Sequence, residues 1–159
     1  MVRTALVVCL ALVPLSARGA DEAKGEKVEY ALHTGHFEKN NAGLVGNQSF
    51  LALGTFDAFD KVFGAGFVMG KKPNVVQKGT FEKNLVVATI TRGNAITTYA
   101  VEKVTLDKDG TLYVAYKATA GPPGTATFAS PLIISVPKDK VKKVAFIENG
   151  KATATVEVK

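Results

Sequence analysis

The sequence predicts a mainly β fold in one domain: an antiparallel sandwich or barrel-like sheet, with one short α-helix at about residues 55–63 packed on it. Three observations carry that expectation. Four apolar, β-branched runs separated by turn residues fill the stretch from Phe81 to Val136, and they read as consecutive antiparallel strands of one sheet. Asp109-Gly110 and Asn149-Gly150 each lie between alternating runs, where Asp-Gly and Asn-Gly supply hairpin turn chemistry. Phe56, Phe59 and Phe63 fall on one helical face, with Asp57, Asp60 and Lys61 outside it.

In chain order, Val28 to Phe37 reads as a first strand, with Val28, Tyr30 and Leu32 on one side. Asn40-Asn41-Ala42-Gly43 is a turn, and Gln48 to Leu53 is a second strand. The helix follows, with Thr55 at the N-cap position and Gly64 just past its end. Ala65 to Thr80 holds Gly66, Gly70, Pro73 and Gly79 and reads as a long loop. Leu85 to Thr91 is apolar on both faces, as a central strand covered on both sides should be.

Arg92-Gly93-Asn94-Ala95 is expected to turn the chain through positive φ. Ile96 to Leu106 and Thr111 to Thr119 then form a hairpin across Asp107-Lys108-Asp109-Gly110. A Gly/Pro loop leads to a strand over Pro131 to Val136, whose two prolines, Pro131 and Pro137, should mark its ends. Lys142 to Glu148 and Lys151 to Val158 close the chain as a hairpin, with Ala152, Ala154, Val156 and Val158 facing in.

The N-terminus follows different rules. Arg3, an apolar run over Ala5 to Leu15, and small residues at Ala17 and Gly19 read as a signal peptide over residues 1–19. The run is short for a bilayer span, and Leu6-Val7-Val8-Cys9 is a poor lipid-anchor signal. Residues 20–27 read as a flexible lead-in and 28–159 as the β-rich domain. The expected compartment is periplasmic or secreted, and bacterial, since the chain left after cleavage has no Cys and must rely on its core.

Removing Arg3 and Arg18 leaves 18 basic and 14 acidic residues, a net charge of +4. The lysines are spread out, with few aromatics beside them, so nucleic-acid binding is not expected. Chemistry is carried by few groups. His33-Thr34-Gly35-His36 is the sole histidine pair; on a continuous strand the rings would face opposite ways, so neither a metal site nor any cofactor is expected. Ser49, Ser130 and Ser135 lack nucleophile-elbow surroundings. Gly64 to Gly70 lacks the Gly-Lys-Ser/Thr of a phosphate loop. Phe67, Val68 and Met69, with Lys71 and Lys72, form the candidate partner-contact loop, against the alternative that the three apolar residues cap the sheet.

The order of parts resembles the C-terminal domain of the PrcB family, exported bacterial proteins named for a protease-complex subunit. The resemblance runs over about residues 50–136. It rests on the helix and loop, Phe81-Glu82-Lys83-Asn84-Leu85-Val86-Val87, the glycine turn and Tyr99, Leu112-Tyr113-Val114, and Ser130-Pro131-Leu132. Where the family carries a glycine-rich turn before its tyrosine, this chain reads Ala95-Ile96-Thr97-Thr98-Tyr99. The resemblance implies a non-catalytic exported accessory domain. The expected function is therefore a binding module that contacts another exported protein or an envelope component. The alternatives are a small secreted hydrolase, or a small-ligand binder with a cavity between sheet and helix.

Overall fold

The computed structural model describes residues 25–66 and 73–158. Its organising strand is β6 (Asn84–Gly93), in which Leu85 and Val87 point to one face and Val86, Ala88 and Ile90 to the other, all buried. As the two-faced apolar pattern predicts, β6 is central, between β4 (Gln48–Leu53) and β9 (Phe128–Pro137). The rest of that sheet is β2 (Ala31–His33), in the order β2-β9-β6-β4.

The four apolar runs do not share this sheet. β7 (Thr97–Leu106) and β8 (Thr111–Ala120) form their hairpin in a second sheet, ordered β1-β7-β8-β10-β11. Its other members are β1 (Glu26–Lys27), β10 (Lys143–Glu148) and β11 (Lys151–Glu157). The division follows side-chain chemistry. β7 and β8 each have one polar face, carrying the Glu102–Lys117 ion pair at 3.1 Å, and so cover a sheet on one side only. β6 and β9 are apolar on both faces and need cover on both. Residues 94–96 and 121–127 therefore carry the chain between layers, and neither Gly93 nor Asn94 takes a positive φ.

One consequence breaks the antiparallel expectation locally. The chain leaves β8, reverses along β9 in the other sheet, and returns as β10, so β8 and β10 pair parallel. All other pairings are antiparallel. Between the sheets lies a cluster that includes Leu85, Val104, Leu112, Tyr116, Ile134, Val136 and Phe146.

A second cluster covers the outer face of the four-stranded sheet. α1 (Phe56–Val62) begins as predicted, with Thr55 Oγ1 accepting from Ala58 N–H at 3.3 Å. Phe59 and Phe63 are buried there with Val86, Ile90 and Ile133. Phe81 joins them from a one-turn helix, α2 (Thr80–Lys83), which the sequence reading did not foresee between the loop and the strand; its ring lies 5.8 Å from that of Phe59. Gly64 is not a helix cap. The chain runs straight into β5 (Phe63–Ala65), and a Cβ on Gly64 would sit 2.5 Å from the tip of the half-exposed Phe37 ring, which would have to shift.

The first predicted strand is three short pieces. β1 pairs with Thr105 and Leu106, so the last two residues of the supposed lead-in belong to the sheet. β2 follows, and Gly35, at φ +77°, then turns the chain into β3 (His36–Glu38), which pairs with β5. Glu38 there holds Arg92 through two bonds, at 2.6 and 2.8 Å. Pro131 lies inside β9 rather than at its end. β2 pairs only with Ile133–Ser135, so Pro131 sits beyond that pairing, where a missing N–H costs no ladder bond. Among the described residues, no helix is long and apolar enough to cross a membrane.

Candidate binding cleft

Gly35 also creates the site. By breaking the strand, it brings His33 and His36 to one cleft, where a continuous strand would have opposed them. The cleft has a volume of about 370 Å³. One wall is Leu32 to His36; the other is Thr97, Thr98 and Tyr99 of the opposite sheet; Pro131, Leu132 and Ile133 form the floor. Leu32 is 45% exposed at its mouth.

Each imidazole is held at both nitrogens. Val76 N–H donates to His36 Nε2 at 2.9 Å, so the ring proton sits on Nδ1, which faces the Gly64 carbonyl at 3.3 Å. The ring also meets Phe59 edge to face, with centroids 5.1 Å apart. His33 Nδ1 faces the Asn74 carbonyl at 3.3 Å, which leaves Nε2 to accept from Ser135 Oγ at 2.9 Å. Burial lowers both pKa values below the ordinary histidine range. The carbonyl partners oppose that shift, and the neighbouring His33 charge adds to it at His36.

The second wall is an open strand edge. β1 pairs with β7 at Thr105 and Leu106, and Val28 N–H adds one bond to the Val104 carbonyl at 3.0 Å. Further along, Thr97 N–H points away from β8 to Ser130 Oγ at 3.0 Å. Alternate residues of a strand present their backbone to the same side, so Tyr99 and Val101 also face away from β8. Among the described residues, no strand pairs with that length of β7. The Tyr99 hydroxyl donates to the Ser130 carbonyl at 2.9 Å and fixes the edge against β9, and burial raises its pKa.

The three serines considered from the sequence are dispersed. Ser49 accepts from Arg92 at 3.0 Å, Ser130 serves β7, and Ser135 meets His33 across 102 residues of chain. A carbonyl, rather than a carboxylate, completes the His33 contact. No group of three or more metal-ligating side chains occurs among the described residues. The space between α1 and the sheet is filled by the rings of Phe59, Phe63 and Phe81. The predicted contact residues Phe67, Val68, Met69, Lys71 and Lys72 lie outside the described residues. Asn74, Val76 and the outward edge of β7 were not singled out in the sequence; their roles come from contacts with residues far away along the chain.

Comparison of the chain with protein-family models, with curated proteins and with solved structures finds no match in any of the three.

Proposed function

We propose that the protein is an exported, non-catalytic accessory module that takes an extended segment of another exported protein into the cleft, adding it as a strand to β7. The observation that carries this is the unpaired backbone of Tyr99 and Val101 beside an apolar slot floored by Leu132 and Ile133. Main-chain bonds to such an edge give affinity, and the slot selects alternate side chains. The apolar N-terminal run and the absence of Cys beyond it support export, and the resemblance to the PrcB C-terminal domain supports an accessory role.

The test is affinity capture from the exported fraction with micromolar bait, followed by amide hydrogen exchange on the complex. The expected result is a captured protein that protects the Tyr99 and Val101 amides, with capture lost in Thr97→Arg, whose side chain stands on the Tyr99 face of β7 and would fill the slot. No capture, or protection confined to other strands, would overturn the proposal. A small hydrolase is the second reading, favoured by the 2.9 Å contact between His33 and Ser135. Labelling of Ser135 by a serine-reactive fluorophosphonate, abolished in His33→Gln, would favour it.

A further inference from the structure

We propose that Asn149 is a site of covalent modification: its side-chain amide is lost to the backbone of Gly150, and that loss loosens the parallel seam between β8 and β10. The reaction is a ring closure. The Gly150 backbone nitrogen gives up its proton and attacks Asn149 Cγ. The Cγ–Nδ2 bond breaks, and ammonia leaves carrying that proton. Water then opens the succinimide, at Cγ to give aspartate or at the backbone carbonyl to give isoaspartate. Asparagine and water become a carboxylic acid and ammonia, with no change of oxidation state.

The sequence favours this step at one asparagine. Asn149 precedes Gly150, whereas each of the other asparagines precedes a residue whose side chain crowds the attacking nitrogen. Asn149 and Gly150 are both exposed, so water reaches them. Nothing lies within 4 Å of the place a Cβ would take on Gly150.

The fold adds a lock. The β8–β10 ladder ends at Glu148, opposite Tyr116, and the Asn149 N–H still donates to the Tyr116 carbonyl at 2.9 Å. At Asn149, with φ +50°, the chain turns away into the hairpin. A strand running on would offer Ala118 a carbonyl for its N–H and an N–H for its carbonyl. The Asn149 amide supplies both. Its Oδ1 accepts from the Ala118 N–H at 3.1 Å, and its Nδ2 donates to the Ala118 carbonyl at 3.2 Å. Ala118 is served from this side because its β7 partner is Tyr99, and the two backbones face away from each other. An amide held at both atoms cannot swing onto the Gly150 nitrogen, so reaction waits on local opening of the turn. Reclosure does not then restore the rung. An ionised carboxylate has no hydrogen to give, and one of its oxygens would face the Ala118 carbonyl. Isoaspartate also adds a methylene to the main chain at the turn that sets the β11 register.

The purified protein, held at mildly alkaline pH and followed by peptide mapping and ammonia release, tests this. Conversion is expected at Asn149 ahead of every other asparagine. It should be slower in the folded protein than in urea by about tenfold or more, and suppressed in Gly150→Ala. Asn149→Asp, the aspartate product made directly, should unfold about 4 °C below the wild type and leave the Ala118 amide open to exchange. That deficit should shrink as pH falls below about 4, where a protonated carboxyl again offers a donor and an acceptor. Conversion led by another asparagine, equal rates in the folded and unfolded chain, or an Asn149→Asp variant with the wild-type midpoint and a protected Ala118 would each overturn the proposal.

Discussion

His36 is fixed as a neutral imidazole because its Nε2 must accept the Val76 N–H. A proton on that nitrogen would set two donors against each other and free the segment 73–79 from the cleft wall. His33 is likewise neutral in its contact with Ser135. Both pKa values are lowered by burial, so the unfolded chain takes up protons near the ordinary value of about 6.5 and the folded chain only at lower pH. In that window the unfolded state binds more protons, and stability falls as pH falls. The unfolding midpoint should be flat above neutrality and decline as pH drops below about 6.5. In a His33→Gln/His36→Gln double variant most of that slope should vanish. A decline of equal steepness in the double variant would assign the effect to other groups.

At the scale of elements, the two hairpin turns offer a matched comparison. Gly150 has φ +77° with nothing within 4 Å of a hypothetical Cβ, whereas at Gly110, φ +81°, that Cβ would lie 2.6 Å from the Lys140 carbonyl oxygen. Gly150→Ala should cost about 1 kcal/mol, from backbone conformation alone. Gly110→Ala should cost roughly 2 kcal/mol more, because a backbone atom must move. Urea unfolding of both variants measures the difference. Both turns were legible in the sequence because Asp-Gly and Asn-Gly act locally, and α1 was legible because Thr55 and the phenylalanine spacing are local too. The break at Gly35 was not: a lone glycine in an apolar run is equally compatible with a continuous strand. The cleft depends on that break, and so the paired histidines were misplaced with it.

For the whole molecule, alternation told which faces are buried but not which strand covers them. Alternation over Thr111 to Thr119 puts Leu112, Val114 and Tyr116 on one face, and that face is the buried one. In β7 strict alternation sets Val104 opposite Tyr99 and Val101, whereas the register shift between Val101 and Lys103 brings all three to the inner cluster. The transfer of both strands to a second sheet was not legible, since residues 94–96 look like a hairpin turn locally. The result is two apolar clusters on opposite faces of one four-stranded sheet. Phe146 anchors the inner cluster and Phe59 the outer, and both are buried. Each Phe→Ala replacement should cost about 4 kcal/mol. The double variant should come within about 0.5 kcal/mol of additivity, because the two rings share no contact. Equilibrium denaturation followed by both tyrosine fluorescence and circular dichroism should give one coincident transition; separated transitions would make the outer layer an independent unit.

The parallel seam between β8 and β10 has a consequence for how the chain is made. A ribosome delivers residues from the N-terminus, so β8 emerges well before the strand that will lie beside it. Until the final hairpin arrives, Val114 and Tyr116 lack the Phe146 side of their shelter, and one flank of β8 has open backbone bonds. Nascent chains stopped short of Lys143 should therefore be sticky and chaperone-dependent, while arrival of the hairpin of β10 and β11 acts as the closing clasp.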